Sequence, residues 1–371
     1  MDSWQLYPRP ELAAHYFSRL IDRPDRALSL FGPRQIGKTT FITGDLATLA
    51  AANAVVAVYV DLMAAVHPLE AINGAFRDAL YTRKTRRLRE PVKSLRLLGS
   101  GVELEASAAP PGSADPGQQL QHLAADLLRQ SGVKRVLLML DEVQEVARLP
   151  SGEQTMKAVR ALCNAHKSGG RVLLLMTGSS QAGLATLFAS YGKPSFGLAE
   201  RLDFPVLGRD YVRHVVDRAN TGRARGHKLD VDAFVDAFAH LGNRPADLEA
   251  FVGHVATYNL HDVAAAVEGF LAVRYPPDDL AARFKAMTPL QQLLLREIAA
   301  GATQMTGQHM LGVVAAGLGT RVSTSGIRKA LISLPDDVLA NPARGVFTLT
   351  DPLLAQWLLK APSTARPPPK R

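Results

Sequence analysis

The stretch Ala27–Thr40, ALSLFGPRQIGKTT, decides the fold. All residues of Ala27–Phe31 except Ser29 are apolar, which suits a short buried strand. Gly32, Pro33, Arg34, Gln35, Ile36, Gly37, Lys38 and Thr39 then fit G-x-x-x-x-G-K-[ST] without a gap, with Thr40 following. Each position has a physical task. The glycines let the backbone curl tightly, so that successive N–H groups turn inward toward phosphate oxygens. A helix starting near Lys38 directs its positive end at the same oxygens. Lys38 is expected to reach the β- and γ-phosphates, and Thr39 to offer its hydroxyl to Mg²⁺. A chance glycine-rich loop is the bland alternative, but the strand before and the helix-compatible run after argue against it.

Outward from this loop, strands and helices alternate. Residues 11–20 read as an amphipathic helix and Ala54–Val60 as a buried strand ending at Asp61, a solvated turn carboxylate. Leu120, Leu123, Ala124, Leu127 and Leu128 share one helical face, and Val133–Leu140 is a strand running into Asp141 and Glu142. A helix over Gly152–His166 leads to a strand over Arg171–Met176, then Thr177, Gly178, Ser179 and Ser180. A last strand is expected over Arg201–Leu207. This alternation predicts an α/β fold: a parallel sheet with helices on both faces, its ligand at the carboxyl ends of the strands. Residues 82–118 interrupt the rhythm with Arg83, Lys84, Arg86, Arg87, Arg89, Lys93 and Arg96, followed by a Pro/Gly/Ser-rich run. They read as a basic insertion with a short hairpin and an exposed loop, either a solvated linker or a phosphate-backbone contact.

Past Gly208 the strands stop. Val231, Phe234, Val235, Phe238 and Leu241 mark one amphipathic helix, and Leu248, Phe251, Val252 and Val255 another, giving a small helical lid that closes near Pro276-Pro277. Thr288-Pro289-Leu290-Gln291 is a capping box with proline at the first helical position. Helices are expected there, over about 305–316, and from a Ser323 cap, with Ile327, Ala330, Leu331 and Leu334 inward and Arg328 and Lys329 outward. Two short strands, Val338–Leu339 and Gly345–Leu349, flank Asn341-Pro342-Ala343-Arg344. Three helices and a β-ribbon predict a winged helix-turn-helix, with Arg328, Lys329 and Arg344 as candidate nucleic-acid contacts. The domains are thus expected at 1–207 (core), 208–277 (lid) and 278–360 (winged helix), with a disordered tail over 361–371.

Composition narrows the partners. The 371 residues carry a net charge of +9 from 43 Lys and Arg against 34 Asp and Glu. That balance suits an anionic partner, with nucleic acid the larger candidate and a solubilising surface the alternative. The single cysteine, Cys163, excludes an internal disulfide and a multi-cysteine zinc site, and it reads as a buried inert thiol. No basic segment followed by an apolar core opens the chain, and no apolar run approaches about 18 residues. A soluble cytoplasmic protein with no membrane contact is expected.

Hydrolysis of a triphosphate needs neutralised phosphates, a held metal and a positioned water. Lys38 and the loop amides supply the first, Thr39 with Asp141 the second. Glu142 either polarises the attacking water or only supports its neighbours. Ser179 or Ser180 either contacts the γ-phosphate and water or caps a helix. Arg201 is either a transition-state arginine or half of a surface ion pair. Arg244, in the lid, is positioned to reach back over the phosphates if the lid closes.

With these residues in place, the chain resembles the STAND branch of the AAA+ ATPases, particularly the archaeal-type ATPase family. The motifs that carry the resemblance are GPRQIGKTT (32–40), LDEVQ (140–144), TGSS (177–180), GNRPADL (242–248) and TDPLLAQWL (350–358). The resemblance implies a P-loop core, a helical lid and a C-terminal winged helix. It implies that Lys38 and Thr39 bind phosphate and Mg²⁺, that Asp141 and Glu142 are the Walker B pair, and that Ser179 is a sensor-like polar residue. It makes Pro245 the lid proline that reads the base, although Gly242-Asn243-Arg244 replaces the usual glycine pair before it, and it aligns Arg201 loosely with an arginine after a variable loop. The nucleotide is expected to be ATP, since no guanine-reading Asn-Lys-x-Asp motif is present. Three functions remain open: an ATPase switch that moves the winged helix and assembles into a homo-oligomer, a nucleotide-gated regulator or mobile-element helper binding double-stranded DNA, and a scaffold docking a protein partner.

Overall fold

A computed structural model describes residues 7–88, 115–179, 195–224, 228–335, 338–343 and 346–360. Five parallel strands form one sheet: β1 (Ala27–Phe31), β2 (Val55–Asp61), β3 (Arg135–Asp141), β4 (Val172–Gly178) and β5 (Ala199–Asp203), in the order β2-β3-β4-β1-β5. Helices cover both faces. Helix α1 (Pro10–Asp22) packs on one side with α2 (Lys38–Phe41), a π-helical turn (Ile42–Leu46) and α3 (Ala47–Ala52). On the other lie α4 (Pro68–Leu88), α5 (Pro116–Arg129) and α6 (Gly152–Ala165).

The two-residue period of a strand explains how one apolar run serves both faces. In β3, Val136, Leu138 and Leu140 join a core with Phe76, Leu120, Leu127 and Leu162. Leu137 and Met139 point the other way, to Leu20, Phe41 and Leu46. Such doubly covered strands read as continuous hydrophobic stretches, as VLLML does here. Register then aligns the strand ends: Asp61 lies opposite Asp141, and Leu140 opposite Met176. The loops after β1, β3 and β4 therefore meet at one edge.

Several expectations shift. Strand β5 begins and ends earlier than Arg201–Leu207, because the Phe204 N–H closes onto the Phe31 carbonyl and Pro205 has no N–H to extend the ladder. The basic segment is not an insertion from its start: residues up to Leu88 continue α4, where Arg83 Nη2 donates to the Ser131 carbonyl at 3.1 Å. Asp115 caps α5 through the Gln118 N–H, so the exposed loop stops short of residue 118, and the rest of that segment lies outside the described residues. Asp61 behaves as the turn carboxylate expected, accepting the Met63 N–H at 2.9 Å. Burial pushes the Cys163 thiol up to about 12, in keeping with an inert group.

Beyond the sheet, helices Arg209–Ala219, Val231–His240, Pro245–Tyr258 and Val263–Arg274 share a core around Phe234, Phe238 and Phe251. The first and last of these were not anticipated. Helix Pro277–Lys285 follows, then Pro289–Ala299 with its Thr288–Gln291 capping box, Gln308–Leu318 and Thr324–Ile332 capped by Ser323. An antiparallel ribbon of β6 (Leu339–Ala343) and β7 (Val346–Leu349) comes next. Asn341, Pro342 and Ala343, expected between the two strands, belong to an irregular end of β6, and Arg344 lies outside the described residues, as does the tail from residue 361. No helix among the described residues is long and apolar enough to cross a membrane.

The last helix, Pro352–Lys360, serves two cores. Leu353 packs into the lid, while Leu354 and Leu358 pack into the C-terminal core. Polar contacts reinforce the joint. Arg244 Nη2 donates to Asp351 Oδ1 at 2.8 Å, Gln356 Nε2 to the His240 carbonyl at 3.3 Å, and Lys360 pairs with Glu268 at 2.9 Å. Arg244 and Asp351 side chains are only 13% and 14% exposed, whereas Lys360 and Glu268 are open to solvent. Asp351→Ala, which leaves the nearly buried Arg244 guanidinium with only the more distant Asp247 and the Tyr275 ring, should cost about 1–3 kcal/mol in urea unfolding. Lys360→Ala, at the exposed pair, should cost about 0–1 kcal/mol.

Candidate functional site

Local geometry makes the loop after β1 a cradle. Gly37 adopts a left-handed φ of 87°, and a Cβ at Gly32 would displace the buried Ile36, whose Cδ1 it would meet at 2.6 Å. Ile36 is buried and anchors the loop from beneath, while Pro33, Arg34 and Gln35 stay exposed. Lys38 opens α2 with only 4% of its surface exposed, and its Nζ donates to the Gly32 and Pro33 carbonyls, both at 2.7 Å. Burial holds the Lys38 ammonium below the ordinary lysine value, opposed by Glu142 and Asp141. The next residues, Thr39 and Thr40, are exposed.

Asp141 is the meeting point of the edge. It is 3% exposed and accepts from four donors: Thr39 Oγ1 at 2.5 Å, Tyr59 OH at 3.1 Å, the Glu142 N–H at 3.1 Å, and Thr177 Oγ1. Burial, with Asp141 as the nearest charge, drives the Tyr59 phenol well above its ordinary value, so it remains a donor. Glu142 has a left-handed φ of 53°, which turns its side chain off the strand line toward β4. There its carboxylate accepts from Ser179 Oγ at 2.6 Å and from Gln144 Nε2. Arg34 Nε reaches the same Ser179 hydroxyl at 3.4 Å, so the phosphate loop and the end of β4 touch.

Lys38, Thr39, Asp141, Glu142 and Ser179 thus gather at one edge, and Ser180 lies outside the described residues. Arg201 stands apart. It pairs in register with Ser29, mid-strand on β5, and its guanidinium stacks over the Phe31 ring at 5.0 Å, just before the loop begins. The nearby surface ion pair belongs to its neighbour Glu200, which bonds Arg19. Arg244 is engaged with Asp351, away from the loop. Pro245 starts a lid helix, and its carbonyl accepts from Tyr211 OH at 3.2 Å. Arg328 and Lys329 are exposed on helix Thr324–Ile332, beside Ser325, Ile332 and Ser333.

Sequence reading gave no role to Tyr59, and none to Thr177 or Gln144 although both stand in the TGSS and LDEVQ motifs. The signal for the first two was a lone hydroxyl in an apolar strand, VVAVYVD and VLLLMTG. Oxygen donors only, the Thr39 hydroxyl and the Asp141 carboxylate, stand side by side, a set that suits a hard divalent cation completed by ligand oxygens. Among the described residues no cluster of three or more His, Cys, Asp or Glu is placed to hold a metal.

No protein-family model matches the chain, and no curated protein matches it in sequence. Solved structures do. The Walker-type ATPase PABY2304 of Pyrococcus abyssi superposes with a TM-score of 0.64 at 17% identity, over 96% of this chain and 99% of that one. The ORC2 protein of Aeropyrum pernix, solved with ADPNP and ADP, superposes at 0.57 and 16% identity, over 96% and 94% of the two chains. The fold is that of these Walker-type ATPase and ORC2 structures. Within it the hydrogen bonds around Asp141 give a direct test. Thr177→Val removes a donor from a buried carboxylate and should cost about 1–3 kcal/mol in chemical unfolding, with Thr177→Ser, which keeps the hydroxyl, costing less.

Proposed function

We propose that the protein binds ATP with Mg²⁺ at the carboxyl edge of its sheet and hydrolyses it, as a switch of the AAA+/STAND kind. The observation that carries this reading is the Thr39–Asp141 contact of 2.5 Å beside a buried Lys38. The nucleotides in the Aeropyrum pernix ORC2 structure support it. Thr39 and Asp141 would hold Mg²⁺, which when bound supplies charge neutralisation at the phosphate oxygens.

The chain's own groups account for the remainder. Lys38 exchanges the Gly32 and Pro33 carbonyls for phosphate oxygens, so its ammonium moves from weak neutral partners to anionic ones. Loop N–H groups face the same oxygens. Ser179 and Gln144 orient the Glu142 carboxylate, which takes a proton from the water that attacks the γ-phosphorus as the bond to the bridging oxygen breaks. Pro245 and its lid helix would lie over the base, and an arginine from a neighbouring copy would stabilise the transition state, since Arg201 is held against Phe31 in mid-strand. Lys38→Ala should abolish ATP binding measured by calorimetry. Glu142→Gln should keep binding and lower turnover by about 10²–10⁴-fold. Unchanged turnover in either variant would sink the ATPase reading.

A second reading is favoured by Arg328 and Lys329, both exposed on a helix followed by the β6–β7 ribbon, in a chain of net charge +9. In it, the C-terminal unit is a winged helix that binds duplex DNA and nucleotide gates that binding; a protein partner is the alternative occupant. Affinity for duplex DNA should fall steeply with salt, and the slope of log K against log salt should flatten by about two in an Arg328→Ala/Lys329→Ala double variant. No binding at low salt would leave the protein-docking alternative.

A further inference from the structure

Arg9 is a nearly buried arginine with few polar partners. It precedes α1, and its side chain is only 11% exposed. The guanidinium lies between two aromatic rings, 4.9 Å from the centroid of Phe41 and 4.9 Å from that of Phe204. Nη2 donates to the Gly37 carbonyl at 2.9 Å. Its carboxylate partner Asp45 is 4.0 Å away, and Nε and Nη1 are buried with no hydrogen-bond acceptor. Burying a charge this sparsely paired is costly, so a packing role alone would be better served by an apolar side chain.

The bond to Gly37 indicates what the charge does. A trans peptide is planar, with its C=O and the following N–H on opposite sides. The Gly37 carbonyl and the Lys38 N–H belong to one such plane. Gly37 is in a left-handed conformation, so the orientation of that plane is held by contacts rather than by helix geometry alone. The carbonyl accepts the Phe41 N–H at 3.1 Å from within the helix and Arg9 from outside it. Together they fix the carbonyl outward, which leaves the Lys38 N–H directed into the cradle.

We propose that Arg9 is the positioning residue of the phosphate loop: it clamps the Gly37–Lys38 peptide so that its N–H faces the phosphates, and it stands behind the loop as a second buried cation. This rests on the nucleotide-binding reading above. The segment that bears Arg9 also touches the lid, since the Tyr7 ring packs edge-on against Tyr211 at 5.5 Å and against His214 at 5.3 Å. The segment Tyr7–Arg9 therefore joins the loop to helix Arg209–Ala219.

The test uses the full chain and three variants: Arg9→Met, which fills the space between the rings but cannot donate, Arg9→Lys, which can donate, and Lys38→Ala as reference. Arg9→Met should weaken Mg-ATP binding by about tenfold, about 1.4 kcal/mol, raising KM while leaving kcat at saturation within about threefold. Arg9→Lys should recover most of that affinity. The proposal is overturned if Arg9→Met binds ATP as tightly as the wild type, or if Arg9→Lys loses as much affinity as Arg9→Met, either of which assigns Arg9 to packing. If the wild type binds ATP and Lys38→Ala does not, the nucleotide reading stands whatever Arg9 does; if the wild type itself fails to bind, that reading falls first.

Discussion

The carboxylate of Asp141 holds the carboxyl edge of the sheet together. Its four donors come from α2, β2, β4 and the next residue in sequence, so one buried side chain ties α2 to three adjacent strands. Burial without those donors would cost several kcal/mol. With them, the charge fixes the spacing of Thr39, Thr177 and Tyr59 and gives the edge little freedom to spread. Lys38 and Glu142 then take their places relative to a rigid point. Lys38 rests on loop carbonyls, and Glu142 is turned aside toward Ser179 by its left-handed backbone.

Much of this was legible in the sequence, for local reasons. The phosphate loop is a contiguous pattern in which each residue has a backbone or charge requirement, and the strands that carry Asp141 and Thr177 are unbroken apolar runs. Boundaries moved where a local rule met a tertiary one. Pro205 stopped β5 early, and α4 carried basic residues further along a helix than composition suggested. The contacts of Tyr59 and Thr177 with Asp141 were not legible, because they follow from sheet register across 82 and 36 residues of chain. Arg9 gave no signal at all. An arginine before a helix reads as surface, and only the packing of Phe41 against Phe204 makes it interior.

The lid teaches the same lesson from the other side. The phenylalanines of its two central helices announced themselves by periodicity, whereas Val263–Arg274 is rich in alanine and buries few of its residues, so its pattern is faint. Arg244 looked available to the phosphates because its neighbours in sequence form a lid motif. Its partner Asp351 lies 107 residues away, and proximity of that kind has no trace in a local reading. Asp247, 2% exposed and held by Arg274 and Tyr275, completes the charged knot at this joint.

The helix Pro352–Lys360 sets a limit on modularity. Adjacent leucines on it, Leu353 and Leu354, are fillings for different cores, one upstream of residue 277 and one downstream. The lid is therefore not finished when its own helices have been synthesised. It waits for a plug delivered about 80 residues later, a long loop closure whose entropic cost is nevertheless modest. A fragment cut after residue 277 would keep every residue of the Asp141 edge and still carry an open socket, so the sheet domain and the C-terminal unit are welded in folding as well as joined in sequence.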